Sequence, residues 1–398
     1  MSFLKSLRLD GFLSFAPGSE AVALTPLNVL IGPNASGKSN LIEAIELLHA
    51  TPVAFANAIR DGGGAQEWIW KGGDPSQAAT IEALIHPAQT PRIPELRYRL
   101  SFRAVALRTE VVDEAIENVA PNRPNDRDVF FYYRFQNGKP AINVRERGNG
   151  DRPRWSVRHL ERQSLRPDES VLSQRKDPDL YPELTWVGQQ FDRIQLFREW
   201  SFGRYAPQRR AQQTTLDPAS LGPDALNLAL VLNHLEHSDA GPRLNALAKR
   251  FLPRYQRFTT RIEAGSVQLY LHEEGAGAIS ATRLSDGTIR FLALLALLLN
   301  PEPPPLICIE EPELGLHPDA LSILASLMVE ASGRTQLIVT THSDALVSAL
   351  TDHASSVLVS EHLGGTRLNR VDPDKLSYWL ERYRLGEIWR IGELGGNP

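Results

Sequence analysis

The sequence holds one cysteine in 398 residues, Cys308, and it lies inside an apolar run. A single thiol excludes an intrachain disulfide and a multi-cysteine metal cluster, and it suits a reducing compartment. Long hydrophobic runs are missing too: the longest covers residues 291–299, far short of the roughly 20 residues that cross a bilayer. The first residues contain no apolar core of signal-peptide length, so the chain is expected to be soluble and cytoplasmic, with no membrane partner. Net charge is nearly absent, at −4 from 43 basic and 47 acidic residues. Such a chain has no global attraction to nucleic acid or anionic lipid, and any such surface must be local. There is no internal repeat and no heptad run long enough for an arm-like coiled coil. What is plentiful is apolar content, 42%, ample for a large core in a chain whose length suggests roughly two or three domains.

The most informative stretch is Gly32-Pro-Asn-Ala-Ser-Gly-Lys-Ser39, which fits G-x-x-x-x-G-K-[ST] without a mismatch. It stands between an apolar strand over residues 27–31 and a helix beginning near Lys38, carried on by buried-face periodicity at Leu41, Ile42, Ile45, Leu47 and Leu48. Such a loop wraps backbone N–H groups around phosphate oxygens at a helix N-terminus, where aligned peptide dipoles favour negative charge. Gly32 and Gly37 permit close approach, Asn34 and Asn40 flank the phosphates, Lys38 can reach the β and γ phosphates, and the Ser39 hydroxyl can ligate Mg²⁺. The expected ligand is a nucleoside triphosphate with Mg²⁺.

Around this loop the chain reads as short strands at residues 3–9, 21–24, 80–85, 96–106 and 129–135, the fourth alternating apolar side chains with Arg97, Arg99 and Arg103. From about 120 to 218 the pattern loosens, with many Pro, Arg and Asp residues. Helices are expected at 224–236 and 242–251, a hairpin around Gly265-Ser266, then a helix at 284–299, a strand at 306–309, a helix at 318–331 and a strand at 336–340.

Three of these later elements end in reactive groups. The strand from Leu306 runs into Glu310 and Glu311, placed to hold Mg²⁺ and to polarise an attacking water respectively, or else to form a solvated acidic loop. His342 follows the strand at 336–340 on what should be the ligand-binding edge of the sheet. Ser285 can cap the helix that begins there, and Gly287 leaves the backbone open to close approach.

Taken in order, Gly32 to Ser39, Leu284 to Thr288, Ile307 to Glu311 and Thr340 to Ser343 resemble the phosphate loop, signature, Walker B element and switch histidine of an ABC-type ATPase head of the RecF, SMC and OLD kind. The run Glu311-Pro-Glu-Leu-Gly-Leu-His-Pro318 is similar to the corresponding region of OLD-like ATPases. Two departures stand out: Glu310 where many such heads carry Asp, and Asp286 where transporters carry Gly; no Q-loop glutamine can be assigned. The resemblance implies an α/β P-loop NTPase fold with a mixed sheet, an N-terminal antiparallel β part and an inserted α+β lobe. Residues 1–90 and 261–398 would form the head and 91–260 the insertion. It further implies a homodimer in which the loop of one copy and Ser285 with Gly287 of the other enclose each ATP, while Glu311 and His342 act on the γ-phosphate and Ser39 and Glu310 hold the metal.

About 270 residues separate Lys38 from Glu310, too few for SMC arms and more than a transporter cassette needs, so the spacing is RecF-like or OLD-like. Asp372-Pro-Asp374 cannot begin a TOPRIM nuclease domain, because 24 residues follow Asp374 where roughly a hundred are required. The tail from Tyr378, rich in aromatics and arginine, resembles the ends of stand-alone OLD-like ATPases that occur with a separate small TOPRIM-like or other effector subunit. Either it contacts that partner or it packs on the head. Arginine clusters at 145–166 and 193–210, with Trp155 and Trp200, are candidates for DNA contact or a mere compositional bias. The expected role is an Mg²⁺-dependent ATPase that senses or acts on DNA in anti-phage defence or genome maintenance. The alternatives are a RecF-type recombination mediator and, less well matched, the ATP-binding subunit of a transporter.

Overall fold

A computed structural model describes residues 2–74, 76–87, 93–106, 108–121, 128–136, 138–146 and 154–395. The chain divides into two compact units: Met1–Pro26 with Gly32–Ile194 and Leu358–Asn369, and Leu27–Ile31 with Gln195–Val357 and Arg370–Pro398.

The first unit is built on an eight-stranded sheet in the order Val22–Ala23, Leu4–Asp10, Ala79–Ile85, Leu96–Val105, Arg108–Asn118, Phe131–Gln136, Lys139–Glu146 and Arg154–His159. Each neighbouring pair is antiparallel. Alternation places Leu96, Tyr98, Leu100 and Phe102 in the core. The arginines between them meet acids across the ladder, Arg97 with Glu117 at 3.2 Å and Arg99 with Asp113 at 3.1 Å. Helices Lys38–Ala50 and Pro182–Asp192 cover the apolar side, and Phe191 packs edge-on to Tyr98 at 5.3 Å.

The expected strand at 129–135 runs from Phe131 to Gln136; the Arg108–Asn118 strand has no counterpart among the expected strands, and the loose stretch after it adds two further strands to this sheet and the Pro182–Asp192 helix. The periodicity of the Arg108–Asn118 strand is masked because acids sit inside. Glu114 is 1% exposed on the Arg108–Asn118 strand. It accepts bonds from the Tyr98 hydroxyl at 2.9 Å, the Ser170 hydroxyl at 2.5 Å and the Val171 amide at 2.9 Å. Burial pushes its carboxyl up to about 7.

The second unit carries parallel strands in the order Gln195–Phe197, Leu306–Glu310, Gln336–Thr340 and Leu27–Ile31. Side chains of the last two strands are all buried, as is Cys308 in the second, the pattern of a sheet covered on both faces. Helices Asp286–Leu298 and Pro318–Ser332 bury near-continuous apolar runs. A smaller antiparallel sheet pairs Tyr255–Glu263 with Ser266–Glu273 through a turn at Ala264 and Gly265, both with positive φ. The helix expected from 224 begins at Leu228. Asn227 instead gathers the preceding loop, its amide donating to the Asp217 and Ser220 carbonyls at 2.6 and 2.7 Å, side-chain bonding that competes with helix.

In the tail, Leu385, Ile388 and Trp389 are fully buried on the Leu385–Arg390 helix, whereas Tyr378 and Tyr383 are exposed. The packing half of the expectation therefore applies to the later residues of the tail. Among the described residues no helix is long and apolar enough to cross a membrane.

Candidate nucleotide-binding site

Two groups of predicted residues occur, one in each unit. In the first, Gly32, Asn34, Gly37, Lys38, Ser39 and Asn40 form one loop at the start of the Lys38–Ala50 helix. Gly32 and Gly37 have φ of 139° and 103°, a region that side-chain-bearing residues rarely adopt. A Cβ at Gly37 would also fall 2.0 Å from the Thr366 hydroxyl. The Lys38 ammonium folds back to donate to the carbonyls of Gly32 at 2.8 Å and Pro33 at 2.9 Å, so the loop closes on its own cation. Asn34 and Ser39 are exposed, while Lys38 is buried.

The loop is held from outside by residues the motif does not contain. The Ser36 carbonyl accepts the hydroxyls of Ser360 at 2.9 Å and Thr366 at 2.8 Å. Asn40 donates to the Ser14 hydroxyl at 2.6 Å, which lies 2.7 Å from that of Thr366. Nothing in the sequence marked Ser14, Ser360 or Thr366. They lie far from the loop along the chain, and hydroxyl residues are too common to signal.

In the second unit the parallel strands deliver acids and histidine to one edge. Register pairs Glu310 with Thr340, and the chain turns at Glu311, whose φ is 46°. The Glu311 amide donates to the Thr340 carbonyl at 3.0 Å. The turn brings the Glu311 carboxylate 3.9 Å from the His342 imidazole. Glu313 fixes that histidine's backbone: its carboxylate accepts the Thr341 hydroxyl at 2.6 Å and the His342 amide at 3.0 Å. Burial raises the Glu313 carboxyl above the ordinary range, against the lowering effect of the Thr341 bond. Glu310 lies 3.4 Å from the Arg198 guanidinium.

Ser285 caps the Asp286–Leu298 helix as expected, accepting the Thr288 amide at 3.1 Å. Gly287 has a packing reason as well, since a Cβ there would stand 2.5 Å from the Gly315 carbonyl. Asp286 pairs with Arg209, which is 2% exposed and also donates to the carbonyls of Leu284, Phe202 and Gly203. Arg209 thus serves the helix start and offers no surface charge, which corrects its inclusion in the 193–210 cluster. In the other cluster Arg158 pairs with Glu146 and Arg162 with Glu110; residues 147–153 lie outside the described residues.

Comparison with known proteins adds the following. A family described as "AAA domain, putative AbiEii toxin, Type IV TA system" matches residues 27–348. The DNA replication and repair protein RecF of Gloeobacter violaceus is 40% identical over 83 residues, 21% of this chain and 20% of that protein. The chromosome partition protein Smc of Halothermothrix orenii is 49% identical over 43 residues, 11% of this chain and 4% of that protein. The matched stretches thus span a fifth or less of these relatives. Among solved structures, the SmcHead bound to the C-winged helix domain of ScpA matches with TM-score 0.56 at 14% identity, over 94% of this chain and 99% of that one. The Smc head with an extended coiled coil bound to the C-terminal domain of ScpA from Pyrococcus furiosus gives 0.55 at 14% identity, over 96% and 99%.

Proposed function

The chain belongs to this AAA-domain family and has the fold of an ABC-type ATPase head of the RecF and SMC group, and on that premise we propose that it is an Mg²⁺-dependent ATP hydrolase working as an ATP-gated dimerising switch. One observation carries the reading: the glycine loop turns back on Lys38 at the start of a 13-residue helix, leaving a cation and a row of helix N–H groups for phosphate oxygens.

In this reading Lys38 leaves the Gly32 and Pro33 carbonyls for the β and γ phosphates, and the loop amides orient the triphosphate. Glu311 accepts a proton from the attacking water, and His342, steered by Glu313, contacts the γ-phosphate. Ser285 and Gly287 serve the site of a second copy, so ATP joins two copies and hydrolysis parts them. The donors suit magnesium. Among the described residues no cluster of three or more His, Cys, Asp and Glu could form an all-protein cage. A hydroxyl from Ser39 and a carboxylate from Glu310 are the sparse, hard oxygen set that Mg²⁺ accepts when phosphates and water complete its shell. When bound, the metal neutralises charge on the transferred phosphoryl group.

The switch would act in the cytoplasm on or near DNA and pass its state to a separate effector. The toxin–antitoxin setting named for the family supports the anti-phage arm of this reading. A RecF-type repair role is the second reading, favoured by the 40% identical stretch. The test is ATP hydrolysis and binding by the intact chain. Lys38→Ala should abolish nucleotide binding, and Glu311→Gln should bind ATP and accumulate as a dimer by light scattering. Normal nucleotide affinity in Lys38→Ala would remove the basis of the reading. Co-purification with an effector, against DNA-stimulated hydrolysis without one, separates the two roles.

A further inference from the structure

The acid assigned to the metal already has a cation beside it. The Gln195–Phe197 strand runs parallel to Leu306–Glu310 with Phe197 opposite Ile309, so the next residues, Arg198 and Glu310, leave the sheet side by side. Their side chains approach to 3.4 Å. Arg290, from the Asp286–Leu298 helix, ties both following loops. Its guanidinium donates to the Trp200 carbonyl at 2.9 Å and the Glu311 carbonyl at 3.4 Å and lies over the Phe202 ring at 5.4 Å. The pair is thereby set by two strands and a cross-brace rather than by chance contact of long side chains. It is also partly open to solution, with 27% of the Arg198 side chain and 18% of that of Glu310 exposed, the Oε1 that faces Arg198 being itself covered. A dissolved cation can therefore compete for the carboxylate.

Resting on the metal assignment of the preceding section, we propose that Arg198 is an internal counter-ion that occupies the Glu310 carboxylate until a divalent cation displaces it, and so sets the metal concentration at which the switch responds. Glu310, Glu311 and Glu313 put three carboxylates within four residues, whose mutual repulsion Arg198 and Arg290 relieve while the metal is absent. On exchange the Arg198 guanidinium loses its carboxylate and becomes available to an anion, for which a phosphate oxygen is the fitting chemistry. Arg198 is a positioning residue by this account, since it acts through Glu310. A purely structural arginine would alter thermal stability and leave the metal requirement where it was.

The experiment titrates Mg²⁺ against the intact chain in the presence of a fluorescent, non-hydrolysable ATP analogue and reads nucleotide binding. Arg198→Gln should reach half-saturation at roughly fivefold lower Mg²⁺, the scale of one partly exposed ion pair. Binding of the analogue in EDTA should be unchanged. Arg198→Lys, which lacks the Nε contact, should shift the same way by less, and it carries the test alone if Arg198→Gln does not fold. A variant whose curve superimposes on wild type, or needs more Mg²⁺, overturns the inference. Absence of Mg²⁺-dependent binding in the wild-type chain itself would instead overturn the functional reading beneath it.

Discussion

The two units solve the same problem of burying strands in opposite ways. In the antiparallel sheet, Ala79–Ile85 alternates buried and half-buried residues along its whole length. Charged pairs such as Arg103 with Glu110 and Arg134 with Glu117 decorate the sheet between its apolar positions. In the parallel sheet, Leu306–Glu310 is buried until its last residue and Gln336–Thr340 is buried throughout. A strand covered on both faces has no room for a charge except where it ends. Charge in the parallel sheet is therefore concentrated where strands end, at Glu310, Glu311 and His342. Polarity in the antiparallel sheet is spread over many residues, none of which is singled out.

This contrast can be broken or sharpened by substitution. The largest effect is expected from Ile338→Asp, which puts an unpaired charge into the fully buried middle of the parallel sheet. It should cost about 4 kcal/mol or more and leave little folded protein, and a cooperative melt near the wild-type temperature would break the comparison. Next comes the strand end. Glu311→Gln should fold normally yet hydrolyse ATP about 100-fold more slowly, and a wild-type rate would show that the end carboxylate is not the proton acceptor.

The third prediction concerns Glu114, an acid that breaks the antiparallel rule by lying inside. Burial holds the Glu114 carboxyl near 7, above its ordinary 4.5, so the folded chain binds that proton more tightly than the unfolded chain. Its contribution is fully present below about 4.5 and is lost as pH rises towards 7. Thermal melts should therefore show wild type losing stability over this window by on the order of 1 kcal/mol per pH unit relative to Glu114→Gln. Parallel melting profiles for the two proteins would disprove it. The smallest effect belongs to the decorated sheet. Arg103→Ala removes a half-exposed ion pair and should change stability by about 0.5 kcal/mol or less in a chemical denaturation curve.

Legibility in the sequence followed the same division. The Leu27–Ile31 and Gln336–Thr340 strands coincide with their expected bounds, and the helices at 318–331 and 242–251 are off by one residue at an end. Their apolar runs are continuous and their ends are marked by glycine, proline or a capping group. The Arg108–Asn118 strand was hidden, because buried Glu114 and Glu117 erase the alternation that identifies a strand, and frequent arginines blur Lys139–Glu146 and Arg154–His159. The capping role of Ser285 was legible for the same local reason, since the bond reaches three residues along the chain.

The sequence by itself determined the phosphate loop, the order of the four motifs and the acids and histidine that end apolar strands, since each is a contiguous pattern in which neighbours along the chain are neighbours in space. Only the tertiary structure decided what holds those groups. Thr366 and Ser14 brace the loop across 352 positions of chain, Glu313 aims His342, and Arg198 meets Glu310 because two parallel strands end together. Such partners are ordinary serines, threonines, glutamates and arginines. Their roles come from the long-range contacts that a folded sheet creates, and a linear pattern carries no trace of those contacts.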